Sequence, residues 1–483
     1  MIPLIDRTPK EDKFQFFESD LYLLRKVFMP NAGQVFVLDP HHRVRENWHT
    51  DLIFVRDRAT VQQIGRRPVS YGVINISKLP IRRHPFPLKR LNSAISFYPY
   101  TTDEELLPYR HTHYIIENPY QTIRWVIPDG MRNAHFNQLY VEDLAYPRLW
   151  RWMVALAAAT NRWRWITEAR FISYQLTSSP LSFLSSDLAI EFSHYALFAG
   201  RMNITGRVLI PLWNRKEIVA FVKLAIRKGA KNGIWSEVKA IHRIAENKPP
   251  GLVVPRVQWH EEYSILTPIF PMNAHPVEEL TLPIVRCWEA IQVRWAKNYS
   301  LEEWIEANRW KERIATIARR ANNGDVPSGV SPQNVMMLMS LIQRALHLIR
   351  SQHFMFALAH GDFSPRNIYW DGHTIYAVDW EHVRWNAPRF ADFFNFLIEP
   401  FETRGTTDPD QLIEGLTQWW HQLPVQWQDH ETQKMDHHIL LCLSDRVLNY
   451  LEPIMEKRVV SHQVNLRFYL WKQIFEHFLD ANS

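Results

Sequence analysis

The hydrophobic pattern divides the chain into a part rich in short strands and a longer part rich in helices. Apolar and β-branched residues alternate with turn residues over positions 34–126, which predicts strands such as Gln34–Leu38, Leu52–Val55 and Tyr71–Ile76. Between Tyr146 and Phe171 the apolar residues recur at helical spacing, which predicts a helix. The Ser-rich sequence LTSSPLSFLSSD follows and favours a domain boundary. Residues 1–180 are therefore expected to form an accessory α+β domain.

A second β-rich region, residues 188–272, comes after this boundary. Its apolar runs predict a helix at Asn232–Asn247 and strands at Ala196–Phe198, Val208–Trp213, Ile218–Ile226, Leu252–Trp259 and Tyr263–Thr267. From residue 273 to the end the pattern is mainly helical. The sequence thus predicts the α+β fold class, with a small β-rich lobe before a large helical one.

Composition excludes several classes of protein. The 483 residues are 22% charged and 46% hydrophobic, as in ordinary globular proteins of several domains. Cys287 and Cys442 lie far apart in sequence, so a disulfide framework and a cysteine zinc site are both excluded. The amino terminus lacks the pattern of a signal peptide, and no apolar run reaches the roughly 18 residues of a membrane span. We therefore expect a cytoplasmic protein.

Charge is distributed unevenly along the chain. Residues 1–180 hold 24 Lys and Arg against 17 Asp and Glu, whereas residues 181–483 hold 32 against 33. A basic surplus suits phosphate, anionic lipid or nucleic acid, but pairs such as Arg66-Arg67 are scattered among apolar residues, so we interpret it as solvated surface. The Trp- and Arg-rich segment Arg148–Arg170 is interpreted as a packed helix in preference to a peripheral membrane contact. No nucleic-acid partner is expected.

The segment 358–382 carries the most informative residues. It reads LAHGDFSPRNIYWDGHTIYAVDWEH and contains, in this order, His360, Gly361, Asp362, Asn367, Asp379, Trp380 and Glu381. Asp371-Gly372 lies between two apolar runs, which favours a β-hairpin with a type I′ turn. Such a hairpin would return Asp379 to the loop that bears Asp362 and Asn367.

These three polar residues match the needs of phosphoryl transfer. The reaction requires an acid that positions and deprotonates the attacking hydroxyl, and oxygen ligands that hold Mg²⁺ on the phosphates. Asp362 is predicted to take the first role, and Asn367 and Asp379 the second. The alternative is three structural residues, namely a helix cap, an Asx turn and a surface acid. The joint match of residue types and spacings favours the catalytic interpretation.

A lysine upstream provides an independent indication. Kinase-like folds use a strand lysine to contact the α- and β-phosphates and a helix glutamate to hold that lysine. Lys223 lies in the apolar run VAFVKLAI, and Glu237 follows fourteen residues later on the predicted helix. We predict an ion pair between them. The alternative is a snorkelling lysine on an edge strand with a solvated glutamate.

The motif HGDxxxxN followed by DWE resembles that of the aminoglycoside phosphotransferase and choline kinase superfamily. The likeness continues in Ala387-Pro388 and in Asp392, where relatives carry a proline and a structural aspartate. The motif covers about residues 358–395, and the corresponding domain residues 190–483. The resemblance implies a bilobal protein-kinase-like fold with an amino lobe at 188–272, a carboxy lobe at 273–483, and ATP and Mg²⁺ as cofactors.

Two departures from related kinases bear on the nucleotide and the acceptor. No GxGxxG sequence is present, so the predicted nucleotide loop is formed by Gly200, Arg201 and Asn203. Ser364 stands where a protein kinase has lysine, which favours a small-molecule acceptor.

The sequence RWVIPD at 124–129 loosely resembles proteins of bacterial polysaccharide biosynthesis, which would suggest a sugar acceptor.

Several weaker features leave alternatives open. Four acidic residues after the motif suit a cationic acceptor or a solvated surface equally, namely Glu399, Glu402, Asp408 and Asp410. His111 and His113 are interpreted as strand residues in preference to metal ligands. The predicted function is an ATP- and Mg²⁺-dependent kinase that phosphorylates a hydroxyl of a small molecule. The rivals are a non-catalytic binding protein of the same fold and a nucleotidyl transferase.

Overall fold

The structure is a computed structural model of the chain. It describes strands at residues 35–38, 52–55, 73–78 and 93–97, and then residues 109–117, 123–131, 148–166, 170–175, 191–199, 206–215, 217–226, 228–247, 249–261, 263–269, 273–404, 408–423, 434–456 and 463–481. The chain divides into two compact units. The first comprises Met1–Trp235 with Val257–Pro268, and the second comprises Ser236–Arg256 with Ile269–Ser483.

A mixed sheet of thirteen described strands forms the first unit. These strands are β1 (Val35–Leu38), β2 (Leu52–Val55), β3 (Val73–Lys78), β4 (Ser93–Phe97), β5 (Tyr109–Glu117), β6 (Ile123–Pro128), β7 (Arg170–Gln175), β8 (His194–Tyr195), β9 (Leu197–Phe198), β10 (Arg207–Asn214), β11 (Glu217–Ala225), β13 (Val257–His260) and β14 (Tyr263–Leu266). Their order is β1-β2-β3-β4-β7-β5-β6-β9-β10-β11-β14-β13, and β8 pairs with β10. The predicted strands Gln34–Leu38 and Leu52–Val55 are confirmed as β1 and β2, and the predicted strand Tyr71–Ile76 corresponds to β3, which begins and ends two residues later.

The sheet is continuous across the two regions that the sequence predicts as separate domains. Trp125 and Val126 on β6 pair with Phe198 and Leu197 on β9. The predicted boundary near residue 180 lies outside the described residues. Strands of the predicted accessory domain and of the predicted amino lobe thus share one hydrogen-bonded sheet.

The Trp- and Arg-rich segment is only partly helical. Helix α1 (Arg148–Thr160) is followed by Asn161 in the left-handed region at φ 54°, where the amide of Gly130 donates to its side chain at 3.1 Å. An asparagine in this conformation ends a helix readily. The predicted helix through Phe171 is therefore wrong at its end, since that residue lies on β7. Trp163 is fully buried as predicted for a packed segment, whereas Trp152 and Trp165 are 61% and 49% exposed.

The predicted strands at the end of the first unit are confirmed with one correction. β11 lies between β10 and β14, so Lys223 is paired on both sides and the edge-strand alternative is wrong. The predicted strand Leu252–Trp259 is interrupted, because β12 (Leu252–Val253) belongs to a sheet of the second unit and β13 to the first. Pro255 lies between them and cannot donate to a strand ladder.

Helix α2 (Lys228–Asn247) confirms the predicted helix and extends it by one turn at its start. Its buried residues recur every three or four positions, the spacing that places them on one side of a helix. They are Ala230, Ile234, Glu237, Val238, Ala240, Ile241 and Ile244. The residues of this helix from Ser236 onward belong to the second unit.

The second unit is mainly helical, as predicted. In the described residues its further helices are α3 (Leu282–Gln292), α4 (Leu301–Ala307), α5 (Trp310–Asn322), α6 (Pro332–Leu348), α7 (Ala391–Arg404), α8 (Pro409–Gln422), α9 (Met435–Met455) and α10 (Gln463–Asp480). The remaining strands are β15 (His275–Pro276), β16 (Lys297–Ser300), β17 (His353–Ala359), β18 (Ile368–Trp370), β19 (Ile375–Ala377) and β20 (Arg384–Pro388). They form two small sheets, β12-β19-β18-β15 and β16-β17-β20. Of the helices described, none has the length and apolar content needed to cross a membrane.

Candidate active site

The HGD sequence begins directly after a buried strand. β17 is the central strand of its sheet, and the four residues Phe356–Ala359 are fully buried. The side-chain amide of Gln292 donates to the carbonyl of Leu358 at 2.7 Å. The end of β17 is therefore held by the core, and the polar residues that follow it start from a fixed position.

His360 is a structural residue of the loop. Its side chain is buried, with Nε2 2.8 Å from the carbonyl of Val378 and Nδ1 3.3 Å from the backbone amide of Asp362. The amide can only donate and the carbonyl can only accept, so the ring carries its proton on Nε2. The ring of Trp380 packs against it at 4.6 Å. One histidine thus joins the loop of Asp362 to the strand that leads to Asp379.

Gly361 occupies a position that only glycine fits. Its φ is +82°, and a Cβ placed there would lie 2.8 Å from the carbonyl carbon of His382, with the carbonyl oxygen nearer still. The atoms that such a Cβ would meet belong to the backbone, which cannot move away as the end of a flexible side chain could. The glycine therefore allows the loop to approach the segment that follows Asp379.

Asp362 and Asn367 are in direct contact. The side-chain amide of Asn367 donates to Oδ2 of Asp362 at 2.7 Å and to its carbonyl at 3.0 Å. A tight turn allows this contact, because the carbonyl of Ser364 accepts from the amides of Asn367 and Ile368 at 3.0 and 3.1 Å. The spacing of five residues in the sequence is thus the length of this turn.

The hairpin returns the chain to this loop as predicted, although through a different turn. β18 and β19 are antiparallel, and the amide of Val378 donates to the carbonyl of Asn367 at 2.9 Å. The connection has four residues, since Trp370 pairs with Ile375. The two-residue type I′ turn is therefore wrong. The carboxylate of Asp371 accepts from the amides of residues 373 and 374 at 2.9 and 2.8 Å, and this Asx-type turn replaces it.

Asp379 follows in an uncommon backbone conformation. It has φ 65° and ψ 56°, in the left-handed region, immediately before the short 3₁₀ helix Trp380–His382. Non-glycine residues in this region cost free energy and cluster at functional sites. Since the backbone amide of Val378 is hydrogen-bonded to the carbonyl of Asn367, the predicted metal ligands Asn367 and Asp379 come from adjoining positions of the hairpin.

Asp392 is hydrogen-bonded to the backbone of the HGD loop, in agreement with the structural role that the resemblance implies. It is fully buried at the start of α7, and its oxygens accept from the amides of His360 and Gly361 at 2.8 and 3.0 Å. The indole of Trp288 donates to it at 3.2 Å. Burial raises the pKa of this carboxyl, against the opposing effect of the two amides.

A buried ion pair stands next to this loop, and the sequence interpretation missed it. Arg446 on α9 donates to both carboxylate oxygens of Glu402 at 2.9 and 2.8 Å and to the amide oxygen of Asn395 at 2.6 Å. The indole of Trp471 also donates to Glu402 at 2.8 Å. Although burial favours the neutral acid, Arg446 and Arg467 hold the pKa of Glu402 below its ordinary value. The signal in the sequence is the spacing of polar residues on α7, at 392, 395, 399 and 402.

The four acidic residues after the motif therefore do not act as one group. Glu402 is committed to its ion pair, and Asp408 caps α8 by accepting from the amide of Gln411 at 3.1 Å. Glu399 is the one of the four whose pKa is affected by Asp362. Burial and the carboxylate of Asp362 raise the pKa of Glu399, against Arg446 and Arg366.

The predicted nucleotide residues are described in part. Lys223 is half-buried on β11 of the first unit, and Glu237 is fully buried on α2 in the second. Their ion pair stays a prediction. Gly200, Arg201 and Asn203 lie outside the described residues.

His113 is buried and bonded to the hydroxyl of Tyr195 at 2.7 Å. In the described part of the chain, no three His, Cys, Asp or Glu residues gather as metal ligands.

The donor set at the hairpin fits a hard divalent cation. Asn367 donates through its nitrogen to Asp362, so its side-chain oxygen is the atom that could bind a cation, and Asp379 could contribute a carboxylate. Oxygen ligands of this kind, completed by phosphates and water, suit Mg²⁺.

Comparisons with known proteins give similarity at the level of solved structures. No family model matches the chain, and no curated protein matches it. It is similar to a putative fructosamine-3-kinase of Thermobifida fusca (14% identity, 59% of this chain and 94% of that chain, TM-score 0.38). It is also similar to a choline/ethanolamine kinase family protein of Mesorhizobium loti (12%, 57% and 89%, TM-score 0.32).

An aminoglycoside phosphotransferase of Streptomyces rimosus is a third similar structure (13%, 56% and 90%, TM-score 0.29). At such identities and TM-scores, the chemistry of this chain must be inferred from the residues of the site itself.

Proposed function

We propose that the chain is an ATP- and Mg²⁺-dependent phosphotransferase whose acceptor is a hydroxyl group of a small molecule. One observation carries the proposal: Asp362, Asn367 and the position before Asp379 are joined by hydrogen bonds of 2.7 and 2.9 Å. An acid beside two oxygen ligands is the arrangement that phosphoryl transfer requires. The buried supports Asp392 and His360 add to it, because a reacting acid must be held in one place.

In this reaction the carboxylate of Asp362 would accept the proton of the acceptor hydroxyl as its oxygen bonds to the γ-phosphorus. The bond from the γ-phosphorus to the bridging oxygen of ATP breaks, and ADP leaves. Asn367 keeps Asp362 oriented through its 2.7 Å hydrogen bond. Asn367 and Asp379 would hold Mg²⁺, which neutralises phosphate charge when bound. Lys223, held by Glu237, would contact the α- and β-phosphates, and residues 200–203 would cover them.

The acceptor is proposed to be a small molecule because Ser364 is buried within the turn and offers no cation beside Asp362. A sugar or saccharide agrees with the loose resemblance of residues 124–129. The acidic residues Glu402 and Asp408 are already engaged, which reduces the support for a highly cationic acceptor.

Two substitutions test the assignment. Asp362→Asn should leave the affinity for Mg²⁺·ATP nearly unchanged and lower turnover by about two to four orders of magnitude, the usual contribution of a positioned acid or base. Asp379→Asn should weaken nucleotide binding as well as turnover. Asp480→Asn, an exposed carboxylate at the end of α10, is the matched control.

The measurements are calorimetric titration of ATP with and without Mg²⁺, and mass detection of products from a panel of sugars, amino alcohols and aminoglycosides. Nucleotide binding without any product from the panel would favour the non-catalytic alternative. Products that gain a nucleotidyl group would favour nucleotidyl transfer. Full activity of Asp362→Asn would refute the role of the HGD loop.

A further inference from the structure

The carboxyl end of helix α2 is attached to the hairpin that leads to Asp379. The chain leaves α2 and forms β12 within five residues, and β12 pairs in parallel with β19, Leu252 opposite Ile375. The carbonyl of Gly251 accepts from the amide of Ile375 at 2.8 Å. β19 ends two residues before Asp379. The helix end and the predicted metal ligand are therefore connected through one pair of strands.

A second attachment lies on the other side of Asp379. The guanidinium of Arg243, on the last turns of α2, stands 3.9 Å from the ring centroid of Trp385. Trp385 lies on β20, six residues after Asp379, and is half-buried. The ring of Trp295 contacts it edge-on at 5.9 Å. Trp385 thus contacts both the half-buried ring of Trp295 and the cation of the helix.

Neighbouring contacts keep both partners in place. Arg294 donates to the carbonyl of Asn247 at 3.0 Å, and the side chain of Asn247 donates to the carbonyl of Arg243 at 2.7 Å. Arg384, next to Trp385, is paired with the buried Asp445. These contacts limit where the two side chains can lie, and the cation–π contact joins the helix end to β20.

We infer that Arg243 and Trp385 are positioning residues that fix α2, and hence Glu237, relative to the Asp379 segment. The inference rests on the proposed function, in which Glu237 acts on the nucleotide through Lys223 while Asp379 acts through the metal. Glu237 precedes Arg243 by six residues, less than two helical turns. Because α2 is attached to the segments before and after Asp379, the distance between these two nucleotide contacts would stay constant. Loosening of the helix would weaken Mg²⁺·ATP binding.

The contact predicts a specific pattern in a double-mutant cycle. Arg243 is exposed, and exposed cation–π contacts correspond to a factor of about 2 to 5 in an equilibrium constant. Arg243→Ala and Trp385→Leu should each raise the Kd for Mg²⁺·ATP by about that factor. The double variant should be no weaker than the worse single variant. Arg243→Lys, which keeps the cation, should retain most of the affinity.

The experiment uses the full chain, with Arg350→Ala as the control for loss of an exposed arginine in the same unit. Calorimetric titration of Mg²⁺·ATP gives the cycle, and hydrogen exchange of residues 240–250 without nucleotide reports the order of the helix end. Faster exchange in Arg243→Ala but not in Arg350→Ala is expected. Additive effects on Kd, or unchanged exchange, would overturn the inference alone. No binding of Mg²⁺·ATP by the unaltered chain would overturn the proposed function together with it.

Discussion

Replacement of Asp392 by Asn tests whether one buried carboxylate supports the HGD loop. The carboxylate accepts three hydrogen bonds, from the amides of His360 and Gly361 and from the indole of Trp288. The two amides are donors to different oxygens, since His360 bonds to Oδ2 and Gly361 to Oδ1. Asparagine has the same shape but only one oxygen. Whichever way its amide turns, a nitrogen donor must face a backbone donor.

The size of the effect follows from the number of bonds lost. The favourable orientation keeps the oxygen at the Oδ2 position, where His360 and Trp288 both donate, and loses the bond from Gly361. A buried donor without an acceptor costs about 1 to 3 kcal/mol. Burial also raises the pKa of Asp392, which means that its charge is costly and that a neutral side chain recovers part of this free energy. We expect the free energy of unfolding to fall by about 1 to 2 kcal/mol.

The assay is urea unfolding at pH 7, followed by tryptophan fluorescence. Asp408→Asn is the matched control, because Asp408 is exposed and accepts a single helix-capping bond that asparagine also makes well. The control should change the free energy of unfolding by a few tenths of a kcal/mol at most. If Asp392→Asn is as stable as Asp408→Asn, the carboxylate does not support the loop and the reasoning is refuted.

Three further outcomes are expected. Gly361→Ala should destabilise the fold by at least about 2 kcal/mol, because its φ is left-handed and a Cβ would clash with His382. The loss should exceed that of Gly372→Ala, where a Cβ meets nothing within 4 Å. Equal losses of unfolding free energy in urea would contradict the close approach of Gly361 to His382. Arg446→Met should cost about 3 to 5 kcal/mol in the same assay by leaving Glu402 charged and buried, whereas Arg350→Met, at a side chain 66% exposed, should cost under about 1 kcal/mol. Because the pKa of Glu402 is below its ordinary value of 4.5, its pairing stabilises the fold above that pH and the contribution is lost as pH falls through the folded pKa. Glu402→Gln should therefore flatten the acid limb of the stability profile, and an unchanged limb would assign it to other groups.

Much of the site follows from short-range signals in the sequence. The turn that joins Asp362 to Asn367 spans five residues, and the hairpin that returns to Asp379 spans about ten. Contacts at such separations depend on turn residues and on alternating strands, which are visible in the sequence. The type of turn was predicted wrongly because Asp371 accepts hydrogen bonds from two backbone amides. Aspartate and asparagine side chains can bond to nearby backbone amides in this way, in competition with the backbone's own hydrogen bonds.

Helix boundaries were less predictable than helix existence. The periodic pattern predicts a helix over Tyr146–Phe171, but α1 ends at Thr160 and Asn161 adopts a left-handed conformation. A 3₁₀ helix follows at Trp163–Trp165, and β7 begins at Arg170. Periodicity alone does not tell whether a short apolar run after a helix continues the helix or starts a strand. The split of Leu252–Trp259 has the same origin, since two short strands in different sheets read as one apolar run.

The sequence by itself determined the fold class, the strand–helix order and the catalytic candidates, because periodicity and turn chemistry act over a few residues. Only the tertiary structure decided which polar residues support the site. Arg446 meets Glu402 across 44 residues, Trp288 meets Asp392 across 104, and Arg243 meets Trp385 across 142. Nothing in the local pattern marks such partners, since each contact depends on how helices and strands pack. A buried carboxylate and an exposed one look alike in sequence, and burial is what gives Asp392 and Glu402 their roles.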